Sequence, residues 1–372
     1  MMPWRGGARP DLLLLLAPCL LAALGLATAR AVAIEEYGTG ATAAVIRHVG
    51  YLALAVVVMA IASLLDYRLL RRFAPHLALV TLALLVLVLV LGAEQYGARR
   101  WLGIGDVTMQ PSEVAKVAVV VAIAAFAAER APVMRVSLVS LAIVGVTMAL
   151  VLLEPDLGTT IVVGLAWIVL AVAWGVPWRF AGGLALLVLS LFPLAFAVAV
   201  ADYQRERLAV FLDPARDPLG SGFTLRQVEV AYASGGLSGR GFDGASSALS
   251  GVATRASDFA FAQVGEFGGV VATVGVLLLF ATIAWRGCTI AIQAPDRFGR
   301  LLAAGLTGVI VLQAAMHVAV NVRLFPATGV PLPFISTGGS ALVVMFAAVG
   351  ILQAVAAARS PGSHEAWQAL RR

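Results

Sequence analysis

The chain has 372 residues, 61% of them apolar and 12% charged, with a net charge of +6 and a mean hydropathy of +0.96. A soluble domain carries roughly 25% charged residues, so this composition excludes a soluble globular fold, and it equally excludes a disordered chain and a disulfide scaffold. What remains is an all-α polytopic membrane protein, whose arginines are spread between apolar runs, so that membrane lipids and not nucleic acid are its expected surroundings.

A bilayer core needs about 20 apolar residues per helix. Ten runs meet that length, at 12–32, 46–65, 76–93, 112–129, 136–153, 158–176, 180–201, 268–285, 301–321 and 338–358. The first follows Arg5 and Arg9 and ends near Ala27-Thr-Ala29, as a secretory signal would. Its apolar stretch is longer than a usual signal, and it is read as an uncleaved first helix. With ten spans, both termini share a side. Placing them in the cytoplasm gives the short loops and tails inside 14 basic residues, against 6 outside, which is the positive-inside sense. The 202–267 segment then lies outside as one large extracytoplasmic loop within a single transmembrane domain, 1–372. Polar at first and rich in small residues from Ser234 to Ser257, it reads as a linker or as a mobile loop over a site.

Charges at membrane depth cost roughly 2.5–3.5 kcal/mol each, so they mark candidate functional residues. Arg99 and Arg100 precede Trp101. Glu113 and Lys116, the latter the one lysine of the chain, follow Gln110-Pro111-Ser112 and share a helical face. Glu154 and Asp156 flank Pro155, and Asp258 and Glu266 stand just before the eighth span. In the ninth span Gln313, His317 and Asn321 stack at i, i+4 and i+8. They are read as interhelical hydrogen-bonding groups before they are read as substrate-lining ones. The run Thr328 to Phe334 holds two prolines and cannot be continuous helix. It predicts a broken or re-entrant segment, tolerated at depth only where it lines protein or water. The four histidines show no metal-ligand spacing.

Arg99, Arg100, Arg207 and Lys116 together suit a polyanion such as a diphosphate. A carboxylate such as Asp258 nearby suits a general base or a cation-stabilising group. With a lipid tail in the membrane, a polyprenyl-diphosphate sugar is one compatible substrate, although on the residues alone a transporter is the stronger reading.

Longer motifs change that balance. In chain order they are Gly97-Ala-Arg-Arg-Trp101, Gln110-Pro-Ser-Glu-Val-Ala-Lys116, Glu154-Pro-Asp-Leu-Gly-Thr159 and Tyr203-Gln-Arg-Glu-Arg207. Phe211-Leu-Asp-Pro214, Asp217-Pro-Leu-Gly-Ser-Gly222, Asp258-Phe259, Gly265-Glu266, Asn321 and Thr328 to Ser336 follow. In this order they resemble the SEDS family (RodA, FtsW, SpoVE), with the short tails slightly favouring a RodA-like member. The resemblance implies a glycan-strand polymerase that transfers lipid II units onto a growing undecaprenyl-linked chain and releases undecaprenyl diphosphate, in cell elongation or division. It implies residence in the bacterial cytoplasmic membrane. It places the essential aspartate at Asp258, and makes Arg99, Arg100, Lys116, Arg207, Gln110, Glu113, Glu266 and Ser336 candidates for binding substrate. A divalent cation, magnesium or manganese, is the implied cofactor, with no organic cofactor. A class B penicillin-binding protein is the implied partner.

The chain departs from the usual pattern around that aspartate. Where the family reads Leu-Pro-Glu-Ala-His-Thr-Asp-Phe, this chain reads Val252-Ala-Thr-Arg-Ala-Ser-Asp-Phe259, and a Gly at the exit of the ninth span is Arg323. The alternatives are therefore a precursor flippase or transporter, and a non-catalytic scaffold for the partner enzyme. A transporter places ionisable groups near the midplane at broken helices, whereas here they gather towards the outer ends of the spans, which favours the polymerase.

Overall fold

The computed structural model describes residues 10–38, 41–95, 98–104, 107–177, 179–180, 182–183, 202–218, 220–243, 246–252 and 254–358. Among these, nine helices are long and apolar enough to cross a membrane: α1 (Leu12–Tyr37), α2 (Ala41–Leu64), α3 (Arg68–Leu91), α4 (Pro111–Ala128), α5 (Met134–Leu153), α6 (Leu157–Trp174), α10 (Ala260–Ile292), α11 (Arg297–Asn321) and α12 (Gly339–Ala357). Each coincides with one of the ten predicted runs. The remaining run, 180–201, lies almost wholly outside the described residues. Three shorter helices, α7 (Asp202–Leu212), α8 (Ser221–Gly235) and α9 (Arg255–Asp258), precede α10.

The helix ends follow local chemistry. Asp11, Asp156 and Asp296 accept from the backbone N–H groups of Leu14, Thr159 and Gly299 and so cap α1, α6 and α11. Pro111 occupies the first turn of α4, where its missing N–H costs nothing. Gly269 kinks α10, with a φ of 66° that is open to glycine and rarely adopted by a residue with a side chain. The helices α4, α6, α11 and α12 are buried along most of their length and form the centre, while α2, α3, α5 and α10 turn wide apolar faces outward.

Between α3 and α4 the chain forms a three-stranded antiparallel sheet, β1 (Ala93–Gln95), β2 (Ala98–Ile104) and β3 (Val107–Met109), in the order β1-β2-β3. Apolar periodicity did not predict it, since β1 and β3 are three residues long and β2, Ala98–Ile104, does not alternate apolar with polar side chains. The 202–258 segment is likewise more ordered than a linker. Val228, Ala231, Leu249, Val252, Phe259 and Ala262 form a small core of their own beneath it. The buried Glu266 carboxylate accepts from Ser247 Oγ (2.6 Å), Ala248 N (2.6 Å) and Arg240 Nη1 (3.1 Å), fixing the loop before α9 to α10.

Residues 322–338 are non-helical, as the paired prolines predict. This segment lies against α1 at Gly25, where an added Cβ would stand 2.6 Å from the Ile335 carbonyl oxygen and 2.7 Å from its Cα. Gly50 of α2 has nothing within 4 Å of the same point. Gly25→Ala is therefore expected to lower stability by about 1–3 kcal/mol through overpacking, whereas Gly50→Ala leaves it unchanged or slightly higher. Thermal unfolding of the two variants in detergent checks this; equal melting temperatures would contradict the close approach of α1.

Candidate active site

The turn α9 ends on Asp258, and its backbone is held from several sides. Thr337 N donates to Ala256 O (3.2 Å), Ser336 Oγ to Ser257 O (2.7 Å), and Asn321 Nδ2 to Asp258 O (3.0 Å). The Asp258 carboxylate accepts from Ser257 Oγ at 2.8 Å. Burial raises its pKa above the ordinary carboxylate range, opposed by the Ser257 and Thr254 hydrogen bonds and by the charges of Arg207 and Arg100.

The segment that holds Asp258 is itself held by α11. Gln313 Nε2 donates to Pro331 O (2.9 Å), and His317 Nδ1 lies 2.8 Å from Val330 O. Phe261 N–H donates to the other ring nitrogen at 3.4 Å, so the pair of contacts fits the Nδ1–H tautomer. The Gln313, His317 and Asn321 stripe thus bridges elements as the sequence suggested.

Two cavities meet at Asp258. The larger, about 360 Å³, is lined by Arg47 and Tyr51 of α2, Trp101 of β2, Gln110, Asp258 and Ser340, among others. The smaller, about 100 Å³, is lined by Arg207 and Phe211 of α7, Thr224 of α8, Thr254 and Asp258. Arg207 also donates to Ala327 O at 3.1 Å. The sequence reading passed over Arg47 and Tyr51, although a charge in the first two turns of an apolar span was the available signal.

The other candidates divide. Gln110 lines the larger cavity and donates to Asp156 Oδ2 at 3.1 Å. Ser336 lies beneath Asp258 and accepts from Leu332 N (2.8 Å). Arg100 donates to the carbonyls of Glu154 (2.9 Å) and Pro155, bracing that turn. Glu154 is fully buried, and burial first, then the Asp156 charge, pushes its carboxyl up to about 8, against the pull of Arg100. Arg99 is exposed and, on β2, falls on the face opposite Arg100. Glu266 serves the loop anchor described above.

For Lys116 the sequence leaves two readings, one anionic site shared with Arg99, Arg100 and Arg207 or a pair with Glu113, and the structure has the pair. The lysine side chain is 0% exposed, with Nζ 2.8 Å from Glu113 Oε1 and 2.6 Å from Gln313 Oε1. An ammonium inside an apolar bundle takes the carboxylate one turn away before it takes a surface ligand. Because Gln313 also reaches Pro331 O, and Pro331 lines the larger cavity, Lys116 lies one layer beneath the cavity floor. Lys116→Met is expected to cost roughly 3–5 kcal/mol by leaving Glu113 buried without its counter-charge. Adding Glu113→Gln recovers most of the loss. Unfolding in detergent measures both, and a stable Lys116→Met protein would contradict the buried pair.

Comparison with known proteins agrees with this architecture. The model of the FtsW/RodA/SpoVE family, described as "Cell cycle protein", matches residues 11–360. The chain is similar to the peptidoglycan glycosyltransferase MrdB of Escherichia coli (strain K12), 35% identical over 312 residues that cover 83% of this chain and 84% of that protein. It is also similar to the stage V sporulation protein E of Bacillus subtilis (strain 168), 34% identical over 353 residues, 92% of this chain and 96% of that one. Among solved structures, a chain from a peptidoglycan synthase complex that coordinates polymerization and crosslinking aligns with a TM-score of 0.80 at 29% identity, covering 95% of this chain and 99% of that chain. The rod shape determining protein RodA of Thermus thermophilus aligns with a TM-score of 0.69 at 28% identity, covering 94% and 97%. With a bundle of membrane-spanning helices, a held aspartate at the meeting of two cavities and a family match along nearly its whole length, this chain belongs to the FtsW/RodA/SpoVE family, the SEDS family.

Proposed function

We propose that this protein is a peptidoglycan glycosyltransferase that polymerises lipid II into glycan strands. One observation carries the reading: Asp258 lines two cavities, and each of them also presents an arginine, Arg47 in one and Arg207 in the other. A transferase that joins two lipid-linked diphosphate sugars needs two anion-binding chambers with a single base where they meet. Guanidinium groups suit that task because their planar fork pairs with phosphate oxygens two at a time.

In this mechanism the acceptor sugar hydroxyl attacks the anomeric carbon of the growing chain. The new glycosidic C–O bond forms as the bond to undecaprenyl diphosphate breaks, and the hydroxyl proton passes to the Asp258 carboxylate. A raised pKa makes that carboxylate a stronger base than an exposed one. Ser257 orients it, and Asn321, Ser336 and Thr337 keep its backbone from yielding. Trp101 offers an aromatic face for a sugar ring in the larger cavity.

Among the described residues no group of three or more His, Cys, Asp or Glu is arranged to hold a metal ion. Magnesium, however, is usually held by one or two carboxylates together with substrate phosphates. A magnesium or manganese ion would be held chiefly through the substrate's own diphosphate and would supply charge neutralisation on the leaving group, which leaves the Asp258 carboxylate to act as base.

In the proposed topology both termini are cytoplasmic and 202–267 is extracytoplasmic, supported by the basic bias of the short loops. A class B penicillin-binding protein is the proposed partner, supported by the likeness to a chain of a synthase complex in which polymerization and crosslinking are coordinated.

The test is polymerisation of labelled lipid II by the purified protein, alone and with such a partner. Asp258→Asn is expected to keep the fold and lose about 10²–10⁴-fold in rate. The base must be ionised, so activity falls as pH is lowered through its pKa, and that acid limb lies at higher pH than an ordinary carboxylate would give. Removing the charge that opposes the shift, by Arg207→Gln, moves the limb higher still. Wild-type protein that makes no glycan with its partner, or an Asp258→Asn variant at full rate, would contradict the proposal.

A further inference from the structure

Two acidic residues, Glu35 and Glu36, stand in the last turn of α1. Carboxylates are unfavourable at a helix C-terminus, where the macrodipole is negative. Their position therefore calls for a compensating cation, and the structure supplies one in Arg255, at the start of α9. Its side chain is 5% exposed; Nη1 lies 2.7 Å from Glu35 Oε2 and Nη2 3.7 Å from Glu36 Oε2. The other oxygen of Glu35 accepts from Ser247 N at 2.8 Å. One carboxylate thus clamps both the beginning and the end of the 247–255 stretch that delivers Asp258.

We propose that Glu35, acting through Arg255, is a positioning residue for Asp258; the proposal rests on the reading of Asp258 as the base. The four-residue turn has two supports. Asn321, Ser336 and Thr337 hold its carbonyls from the side of α11 and the 322–338 segment. Glu35 holds its first residue from the side of α1. A buried guanidinium cannot discharge by losing its proton, so removing Glu35 drives Arg255 towards water and rotates the turn about its remaining support. Asp258 then shifts relative to both cavities, while the arginines that bind substrate, on α2 and α7, stay in place. Arg255 falls where the usual family pattern has Ala, so the clamp belongs to the stretch in which this chain departs from that pattern.

The test is steady-state polymerisation of lipid II by full-length protein carrying Glu35→Gln, with Glu36→Gln as control. Misplacing a catalytic group by about 1 Å costs on the order of 10²-fold. Glu35→Gln is therefore expected to lower kcat by about 10- to 100-fold with KM for lipid II unchanged, and Glu36→Gln to leave both as they are. Should Glu35→Gln fail to fold, Arg255→Lys serves instead: it keeps the charge, loses the fork and is expected to show the same kcat-only defect. Wild-type kcat in either variant, or a rise in KM with kcat unchanged, overturns the clamp while leaving the polymerase reading intact. A wild-type protein without polymerase activity overturns both, and is told apart from the former by that wild-type control.

Discussion

Backbone that leaves the helical conformation inside a bilayer must find its hydrogen bonds within the protein, because lipid offers none. Residues 322–338 are non-helical and largely buried from Thr328 to Ser336, so they carry the same need, and the polar side chains of α11 meet it. Gln313 and His317 reach the Pro331 and Val330 carbonyls, while Asn321 reaches across to Asp258. The broken segment in turn offers Ser336 and Thr337 to the turn that ends on Asp258. The placement of the proposed base is thus a consequence of satisfying a buried non-helical segment.

The same requirement explains the layer beneath. Lys116 is a charge where a charge is costly, and it is tolerated because Glu113 neutralises it and Gln313 caps it. Through Gln313 the pair is joined to Pro331 at the floor of the larger cavity. A buried ion pair of this kind adds little stability over an apolar substitute; its contribution here is to fix how α4 and α11 face each other below the site. Glu266 and Glu35 repeat the device, each using one carboxylate to gather several donors from the chain that precedes Asp258.

Much of this was legible in the sequence. Span length and hydropathy located the nine described crossings, because burial in lipid demands long uninterrupted apolar runs. The two prolines after Thr328 announced the break, and the Gln313, His317 and Asn321 spacing announced the face that answers it. What stayed hidden depends on contacts distant in sequence. Whether Lys116 faces a cavity or Glu113 is decided by the neighbour of α4, not by the helix itself. Arg47 was not among the candidates, since only the folded chain brings α2 beside Trp101 and Asp258. The segment before α10 read as a linker because its small residues carry no periodicity, and its order comes from Glu35 and Glu266, the latter beyond its end.

In the proposed mechanism Asp258 stands between two chambers that hold the two lipid-linked substrates. This placement is tested most directly by photo-crosslinking with labelled lipid II in an Asp258→Asn background, where turnover is stalled, using a photoreactive amino acid at Tyr51 in the larger cavity or at Phe211 in the smaller one. Capture of lipid II is expected at both positions, each lost when the arginine of that cavity, Arg47 or Arg207, is replaced. Capture at one position alone, or capture at both that ignores the arginines, would contradict it.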